Sequence, residues 1–183
     1  MWIDIPAGFT KLLSHKIYNW NFEMEPEEGM AGRRIPCPRG RTLGGSSSIN
    51  GMVYVRGQPL DYDTWSQLGN RGWSYERVLP YFKKSEHFAG QGDDSRGKGG
   101  PLHVGEMSGR HVLCDAFIDA AEASGFRRNK DYNSGDQEGF GYFQVTIKDG
   151  KRQSTARAFL DPARSRPHWR LPWANRRSGR RPR

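Results

Sequence analysis

The chain has 183 residues, of which 34% are hydrophobic and 27% charged, and it carries a formal net charge of +9. Its mean hydropathy is -0.87. It contains no apolar run of about eighteen residues and no basic N-terminal stretch leading into an apolar one, which argues against a transmembrane helix and a secretory signal. We therefore expect a soluble cytoplasmic chain, long enough for one domain but poor in core-forming residues.

The positive charge is concentrated in the C-terminal tail. Residues 162–183 contain eight arginines and no acidic residue, which leaves 21 basic against 20 acidic residues in the rest of the chain. The tail shows no helical or strand period, so it is predicted to be disordered or aberrant. The alternative is an arginine-rich arm that binds phosphate backbones, as in a nucleic-acid-binding protein.

The predicted elements begin with irregular structure over residues 1–36. The apolar run at residues 52–55 predicts either a strand or a buried helical turn, because periodicity cannot distinguish them over so few residues. Ser74 is then predicted to cap a helix that Pro80 kinks. The following segment GQGDDSRGKGG, residues 90–100, is predicted to be a mobile loop.

The clearest helix is predicted over residues 110–124, with Gly125 as its C-terminal cap. Its apolar stripe, which we expect to face the core, consists of Leu113, Phe117, Ala120 and Ala121. No metal site is predicted, because Cys37 and Cys114 lie far apart without a second CxxC or a close histidine pair.

The last elements are a hairpin and a short helix. Phe143, Val145 and Ile147 alternate with polar residues and lead into the turn signal Asp149–Gly150, which predicts a hairpin. Ser154 is then predicted to cap a final helix that ends at Pro162. Trp65 and Trp73, earlier in the chain, are predicted to pack in the core.

The composition of the segment RGRTLGGSSSING, residues 39–51, is typical of either a ligand-binding loop or a flexible linker. Gly44 and Gly45 lack β-carbons, so a flat ring or a pyrophosphate can approach the main chain. Ser46, Ser47 and Ser48 supply hydroxyl groups, and a helix start there would offer free backbone N–H groups to an anion. The glycine spacing is not that of GxGxxG, and no Walker A lysine follows.

The longer segment GRTLGGSSSINGMVYVRGQPLDYD, residues 40–63, resembles the first signature of the glucose-methanol-choline (GMC) family of FAD-dependent oxidoreductases. The positions that fit are Gly40, Arg41, Leu43, Gly44, Gly45, Ser46, Ser47, Ile49, Asn50, Tyr54, Gly57 and Asp63. YNWNFEMEPE before it, and WSYERVLPYFKKSE, GGPLHV, EGFGYFQVT and GKRQSTARAFL after it, are similar to the same family, above all to its bacterial choline and alcohol dehydrogenases. The similarity covers about residues 1–167.

The resemblance implies an α/β fold, with α+β character in the substrate part. Residues 1–70 would belong to a partial FAD-binding Rossmann-type domain and residues 71–167 to part of the substrate domain, followed by the arginine-rich tail at 168–183. The implied cofactor-binding residues are Gly44, Gly45, Ser46, Ser47, Asn50, Gly51, Met52 and Val53. Some relatives attach FAD through a histidine at the position of Ile49, so the resemblance implies non-covalent FAD here.

The implied reaction oxidises the CH–OH group of a small-molecule alcohol by hydride transfer to flavin N5, with an unidentified electron acceptor. The family's dinucleotide motif and catalytic histidine have no counterpart in this sequence, so no catalytic residue is predicted and the chain is expected to be a fragment, inactive alone. Its five histidines, His15, His87, His103, His111 and His168, are expected to lie at the surface or to pack. A nucleic-acid-binding or non-catalytic interaction protein is the alternative.

Overall fold

The computed structural model describes residues 2–170. Its first third is irregular, as predicted: a 3-10 helix at Pro6–Gly8, the short helix α1 at Phe9–Leu12, strand β1 at Phe22–Glu23, a 3-10 helix at Glu28–Met30 and strand β2 at Pro36–Cys37. β1 and β2 pair antiparallel. Leu12 is fully buried and anchors this part of the chain in the core.

Two helices follow the glycine- and serine-rich segment. Helix α2 comprises Pro59–Gln67 and helix α3 comprises Tyr75–Ser85. Ser74 occupies the predicted N-cap position of α3 with extended backbone, but its side chain makes no capping hydrogen bond, and α3 continues through Pro80 as one helix. The predicted burial of Trp65 and Trp73 is wrong, because these side chains are 45% and 50% exposed and pack edge-to-face against each other at the surface.

The largest sheet joins strand β3 at Glu86–Phe88, β4 at Leu102–Glu106 and β5 at Gln144–Val145. β3 and β4 are parallel, whereas β4 and β5 are antiparallel. Val104 and Val145 are buried on this sheet. Residues 52–55 follow the strand alternative only in part. Val53 makes an antiparallel bridge to Val145, and the Tyr54 N–H donates to the Gln144 carbonyl at 2.9 Å, but the pairing is too short to count as a strand.

Helix α4 runs over Val112–Ala123, close to the predicted range, and Gly125 follows it with φ +89°. The predicted core face of α4 is wrong. Leu113 and Phe117 are 69% and 63% exposed, whereas Ile118 is the buried residue. The helix packs on the rest of the described chain through the Ile118 side, which leaves the predicted stripe at the surface.

The predicted hairpin is confirmed, although its strands are short. Strand β6 at Ile147–Lys148 pairs antiparallel with β7 at Lys151–Arg152. Asp149 and Gly150 both have positive φ, as a two-residue type I′ turn requires. The final helix is a π-helical turn at Ala156–Leu160, and the Ser154 hydroxyl accepts the N–H of Arg157 at 3.3 Å.

The helices within residues 2–170 are all too short or too polar to cross a membrane. Residues 171–183, which carry most of the predicted arginine-rich tail, lie outside the described part of the chain. The prediction that this tail is disordered or aberrant therefore remains a prediction.

Candidate functional site

The glycine- and serine-rich segment forms a short 3-10 helix at Gly45–Ser48, which Gly44 precedes with φ +85°. A β-carbon on Gly44 would lie 2.6 Å from the Ser48 hydroxyl oxygen and 3.1 Å from the Ala156 nitrogen, so the fold itself excludes a side chain there. Gly45, with φ +55°, has open space where its β-carbon would be. The chain is thus closed on one side of this glycine pair and open to a ligand on the other.

Hydroxyl groups fasten this segment to residues near the end of the described chain. The Ser47 hydroxyl donates to the Gly44 carbonyl at 2.6 Å, and the Thr155 hydroxyl donates to the same carbonyl at 3.1 Å. The backbone N–H of Thr155 donates in turn to the Ser47 hydroxyl oxygen at 2.9 Å. A flexible linker makes no such contacts, so the structure contradicts the linker alternative; residues 44–53 are called the glycine-serine loop below.

Arg152 lies beneath the glycine-serine loop and is only 1% exposed. One guanidinium nitrogen, Nη1, donates to the carbonyls of Ser47 and Asn50 at 3.1 and 2.7 Å and to Asn50 Oδ1 at 2.9 Å. Nε donates to the Ile3 carbonyl at 2.8 Å, whereas Nη2 is buried without a partner. Burial lowers the pKa of the Arg152 guanidinium, and Asp4 partly offsets this effect.

The predicted cofactor residues differ in exposure: Gly44, Gly45 and Ser47 are half-buried, and Met52 alone is buried. Asn50, Gly51 and Val53 are exposed, and so is Ser46, whose hydroxyl accepts the backbone N–H of Gly40. Met52 is only 4% exposed and has the unusual φ of +63°. The main chain therefore turns sharply at Met52 and leaves its neighbours Gly51 and Val53 at the surface.

The two arginines that flank the start of the loop are exposed. Arg39 donates to the Pro38 carbonyl at 2.7 Å, and the Arg41 guanidinium lies 4.8 Å from the ring centroid of Trp20. The loop and its fastening residues contain no histidine. His111 has a structural role, because its ring accepts the Leu113 N–H at the start of α4.

A buried ionic cluster lies next to the loop, and none of its residues was predicted as functional. Glu86, which is fully buried, forms ion pairs with Arg56 and Arg96, and Arg96 also contacts Asp131 at 2.5 Å. Burial by itself would lower the pKa of Arg96. The hydrogen bonds and charge contacts with Glu86 and Asp131 outweigh this effect, so the pKa of Arg96 is raised. These four residues, called the ionic cluster below, are spread over 75 positions of sequence and no local pattern marks them.

The segment 90–100 is a loop, as predicted, but two of its residues supply part of this cluster and are packed in the core instead of being free to move. Arg96 and Gly97 are buried, and the Gly97 N–H donates to the Glu86 carboxylate at 2.8 Å. A β-carbon on Gly97 would collide with the Lys83 carbonyl oxygen. The glycines of this segment therefore allow close packing around a buried carboxylate.

Polar side chains connect the ionic cluster to the end of the glycine-serine loop. The Tyr54 carbonyl accepts the Tyr132 hydroxyl at 2.8 Å and the Asn133 side-chain amide at 3.1 Å. Asn133 Oδ1 accepts the backbone N–H of Arg56 at 2.7 Å. Burial raises the pKa of Tyr54, which keeps its hydroxyl protonated beside Arg56. Residues 54–56, which follow the loop, are thus fixed by hydrogen bonds with Tyr132 and Asn133.

The chain matches a known class of oxidoreductase over most of its length. The family model described as GMC oxidoreductase matches residues 12–172, and the chain therefore belongs to the GMC oxidoreductase family. The family match extends slightly past residue 167, where the motif comparison ended. The predicted α/β class, with mixed helix and sheet, is confirmed.

Its relatives include bacterial enzymes named oxygen-dependent choline dehydrogenase. The protein from Rhizobium rhizogenes is 48% identical over 169 residues, which cover 92% of this chain and 31% of the relative. The protein from Brucella anthropi is 47% identical with the same coverage. The chain thus spans about a third of the length of the curated relatives it matches.

The chain is also similar to solved structures of oxidoreductases. Pyridoxine 4-oxidase from Mesorbium loti has a TM-score of 0.84 and 36% identity, with 90% of this chain and 33% of that chain covered. An FAD-dependent oxidoreductase from Chaetomium thermophilum has a TM-score of 0.80 and 32% identity, with 90% and 30% covered. These matches support the oxidoreductase interpretation and not the alternative of a nucleic-acid-binding or interaction protein.

Proposed function

We propose that the glycine-serine loop binds FAD in a protein that oxidises the CH–OH group of a small alcohol, and that choline is the first alcohol to test. Family membership and the choline dehydrogenase relatives support the reaction class. The single observation that carries the proposal is the loop itself: a glycine pair closed on the protein side, open on the other, and fixed from below by Arg152.

The residues fit a flavin. Gly45 leaves open space for close approach of a flat ring or a pyrophosphate to the main chain. The buried Arg152 has a guanidinium nitrogen without a partner and no carboxylate within ion-pair distance among residues 2–170, so its positive charge favours an anionic group nearby. Asn50, Gly51 and Val53 are exposed and available for contact.

We propose that FAD is held without a covalent bond. Ile49 occupies the position of the histidine tether of some relatives, and it is an aliphatic side chain that is only 1% exposed. It has no nucleophilic atom, and its burial fixes the loop in the core instead. The proposed FAD contacts are therefore hydrogen bonds and packing by Gly44, Gly45, Ser46, Ser47, Asn50, Gly51, Met52 and Val53.

Bound FAD would supply the acceptor for the hydride that leaves the alcohol carbon. The residues of this chain would bind and orient the flavin, and the buried Ile49 and Met52 would support the loop beneath it. No histidine stands on the loop to take the hydroxyl proton. We therefore expect flavin binding by the 183-residue chain without alcohol oxidation.

We also propose the domain division at residue 70 and a cytoplasmic location, both of which rest on the sequence. The loop then belongs to the FAD-binding part at 1–70 and the ionic cluster mostly to the substrate part at 71–167. The identity of the electron acceptor is a separate question, to which the relatives' name "oxygen-dependent" offers a first candidate.

The test is reconstitution of the full 183-residue chain with FAD. We expect yellow flavin to remain with the chain on gel filtration and to be released completely by acid precipitation, as non-covalent binding requires. Choline should cause no reduction of an added dye. Absence of flavin binding would refute the proposed site, flavin retained after acid would refute the non-covalent mode, and choline-dependent turnover would refute the expected inactivity.

A further inference from the structure

We propose that Arg152 is a positioning residue that fixes the side-chain amide of Asn50 with its oxygen toward the protein and its N–H₂ group outward, as a hydrogen-bond donor to the flavin ring. The inference deepens the proposed function and rests on it for the identity of the ligand. The orientation of Asn50 itself rests only on contacts within the chain.

The hydrogen bonds assign the two ends of the Asn50 amide. Its Oδ1 accepts Arg152 Nη1 at 2.9 Å and the backbone N–H of Met52 at 3.1 Å. Both partners can only donate, so the oxygen rather than the nitrogen must face them. Among residues 2–170 the amide nitrogen of Asn50 has no hydrogen-bond partner, and the residue is exposed.

Arg152 holds more than the side chain of Asn50. The same Nη1 atom also contacts the Ser47 and Asn50 carbonyls, while Nε contacts the Ile3 carbonyl from the other side. Arg152 is therefore held by hydrogen bonds to both the N-terminal segment and the loop, and it is only 1% exposed. A planar group fixed in this way imposes one orientation on its acceptors.

The outward N–H₂ group suits the ring of a flavin. The polar edge of an isoalloxazine carries two carbonyl oxygens and unprotonated ring nitrogens, against a single N–H donor. An outward oxygen on Asn50 would face these acceptors with like partial charge, whereas an outward donor pairs with them. Arg152 thus determines which chemical group the loop presents at this point.

The experiment uses the full 183-residue chain with three variants. Arg152→Met removes the donors and the charge at similar length. Asn50→Asp keeps the acceptor for Arg152 and Met52 but replaces the outward donor with oxygen. Arg157→Met is the matched control, because Arg157 is a neighbouring guanidinium that contacts Asp4 and the Arg152 carbonyl instead of the loop.

Without FAD, the nitrogen and proton resonances of the Asn50 side-chain amide report its order by NMR. We expect a shifted, ordered amide in the wild type and in Arg157→Met, and a signal at the random-coil position in Arg152→Met. Hydrogen exchange of the loop should accelerate in Arg152→Met alone. An ordered Asn50 amide in a folded Arg152→Met variant, or a disordered one in the wild type, would overturn the inference.

In the presence of FAD, the Asn50→Asp variant separates the effect of the lost hydrogen-bond donor on binding from any effect on the stability of the loop. This variant should keep the hydrogen-exchange protection of the loop yet bind FAD about tenfold more weakly, as the loss of a donor to a polar ring predicts. Unchanged affinity and an unchanged flavin spectrum would overturn the donor role. If the wild type binds no FAD, the proposed function and the donor role fail, while the NMR comparison still decides whether Arg152 orients Asn50.

Discussion

The glycine-serine loop and the ionic cluster are neighbours in the fold, but they differ in how they are built. The loop is a contiguous segment with one buried cation beneath it and an open side above Gly45. The cluster draws single residues from four separate segments and closes completely around the Glu86 carboxylate. The loop leaves space and polar groups free for further contacts, whereas almost every charged group of the cluster already has a partner.

This difference leads us to expect that the two regions respond differently to mutation. In the cluster each charge has a partner, so the removal of one charge leaves others buried and unpaired. In the loop the Arg152 charge is left without a carboxylate within ion-pair distance among the described residues, which has a stability cost that an anionic ligand would offset. We expect cluster mutations to act on folding, and mutations on the open side of the loop to act mainly on binding.

The largest expected effect is that of Glu86→Gln. The substitution leaves the buried Arg56 and Arg96 charges without their shared carboxylate, and we expect it to lower the free energy of unfolding by roughly 3–5 kcal/mol. Urea denaturation followed by circular dichroism measures the change. The control is Glu106→Gln, which breaks an exposed ion pair with Arg110 and should cost less than about 1 kcal/mol. Equal effects of the two substitutions would contradict the assigned role of the cluster.

The second prediction compares the two glycines of the loop. Gly44→Ala should destabilise the chain by about 2 kcal/mol or more, because the new methyl group meets Ser48 and Ala156 at a positive φ. Gly45→Ala should cost only about 1 kcal/mol of backbone strain, yet it fills the open side. Thermal unfolding and FAD titration separate these effects. If Gly45→Ala left FAD affinity unchanged, the open side would not be the ligand side.

The smallest expected effect concerns His103 on β4. Burial, assisted by the nearby His87 and Lys148 and opposed by Asp149, lowers the pKa of His103 below its ordinary 6.5. The folded chain then binds fewer protons than the unfolded chain, so this contribution to stability is present above pH 6.5 and is lost as the pH falls through the lowered pKa. Urea midpoints between pH 8 and pH 5 should fall more steeply for the wild type than for His103→Gln. Parallel curves would contradict the shift.

Sequence patterns predicted the local elements better than the contacts between them. The Asp149–Gly150 turn and the cap at Ser74 follow from the conformations that these residues favour, so they were predictable. The core face of α4 was not, because Leu113 and Phe117 form a good apolar stripe whatever packs against it. The exposed position of that stripe depends on tertiary contacts made by Ile118.

The residues of the candidate site were also predictable only where a local sequence pattern marks them. Gly44 and Gly45 could be selected because two adjacent glycines allow positive φ, and the resemblance implied the FAD-binding role that we propose for the loop. Arg152 could not be selected, since an arginine in the sequence LysArgGlnSer has no local mark of burial. Glu86 was hidden for the same reason, at the junction of a helix and a strand.

The contacts of the loop also determine when it can form during folding. Arg152 reaches the Asn50 carbonyl across 102 residues and the Ile3 carbonyl across 149 residues, and Thr155 reaches Gly44 across 111. The entropy of closing such long chain segments must be overcome before these hydrogen bonds form. On the ribosome, the glycine-serine loop therefore emerges before Arg152 and Thr155 are synthesised. We expect this loop to be among the last parts of the chain to become ordered, because it must wait for the residues that fix it.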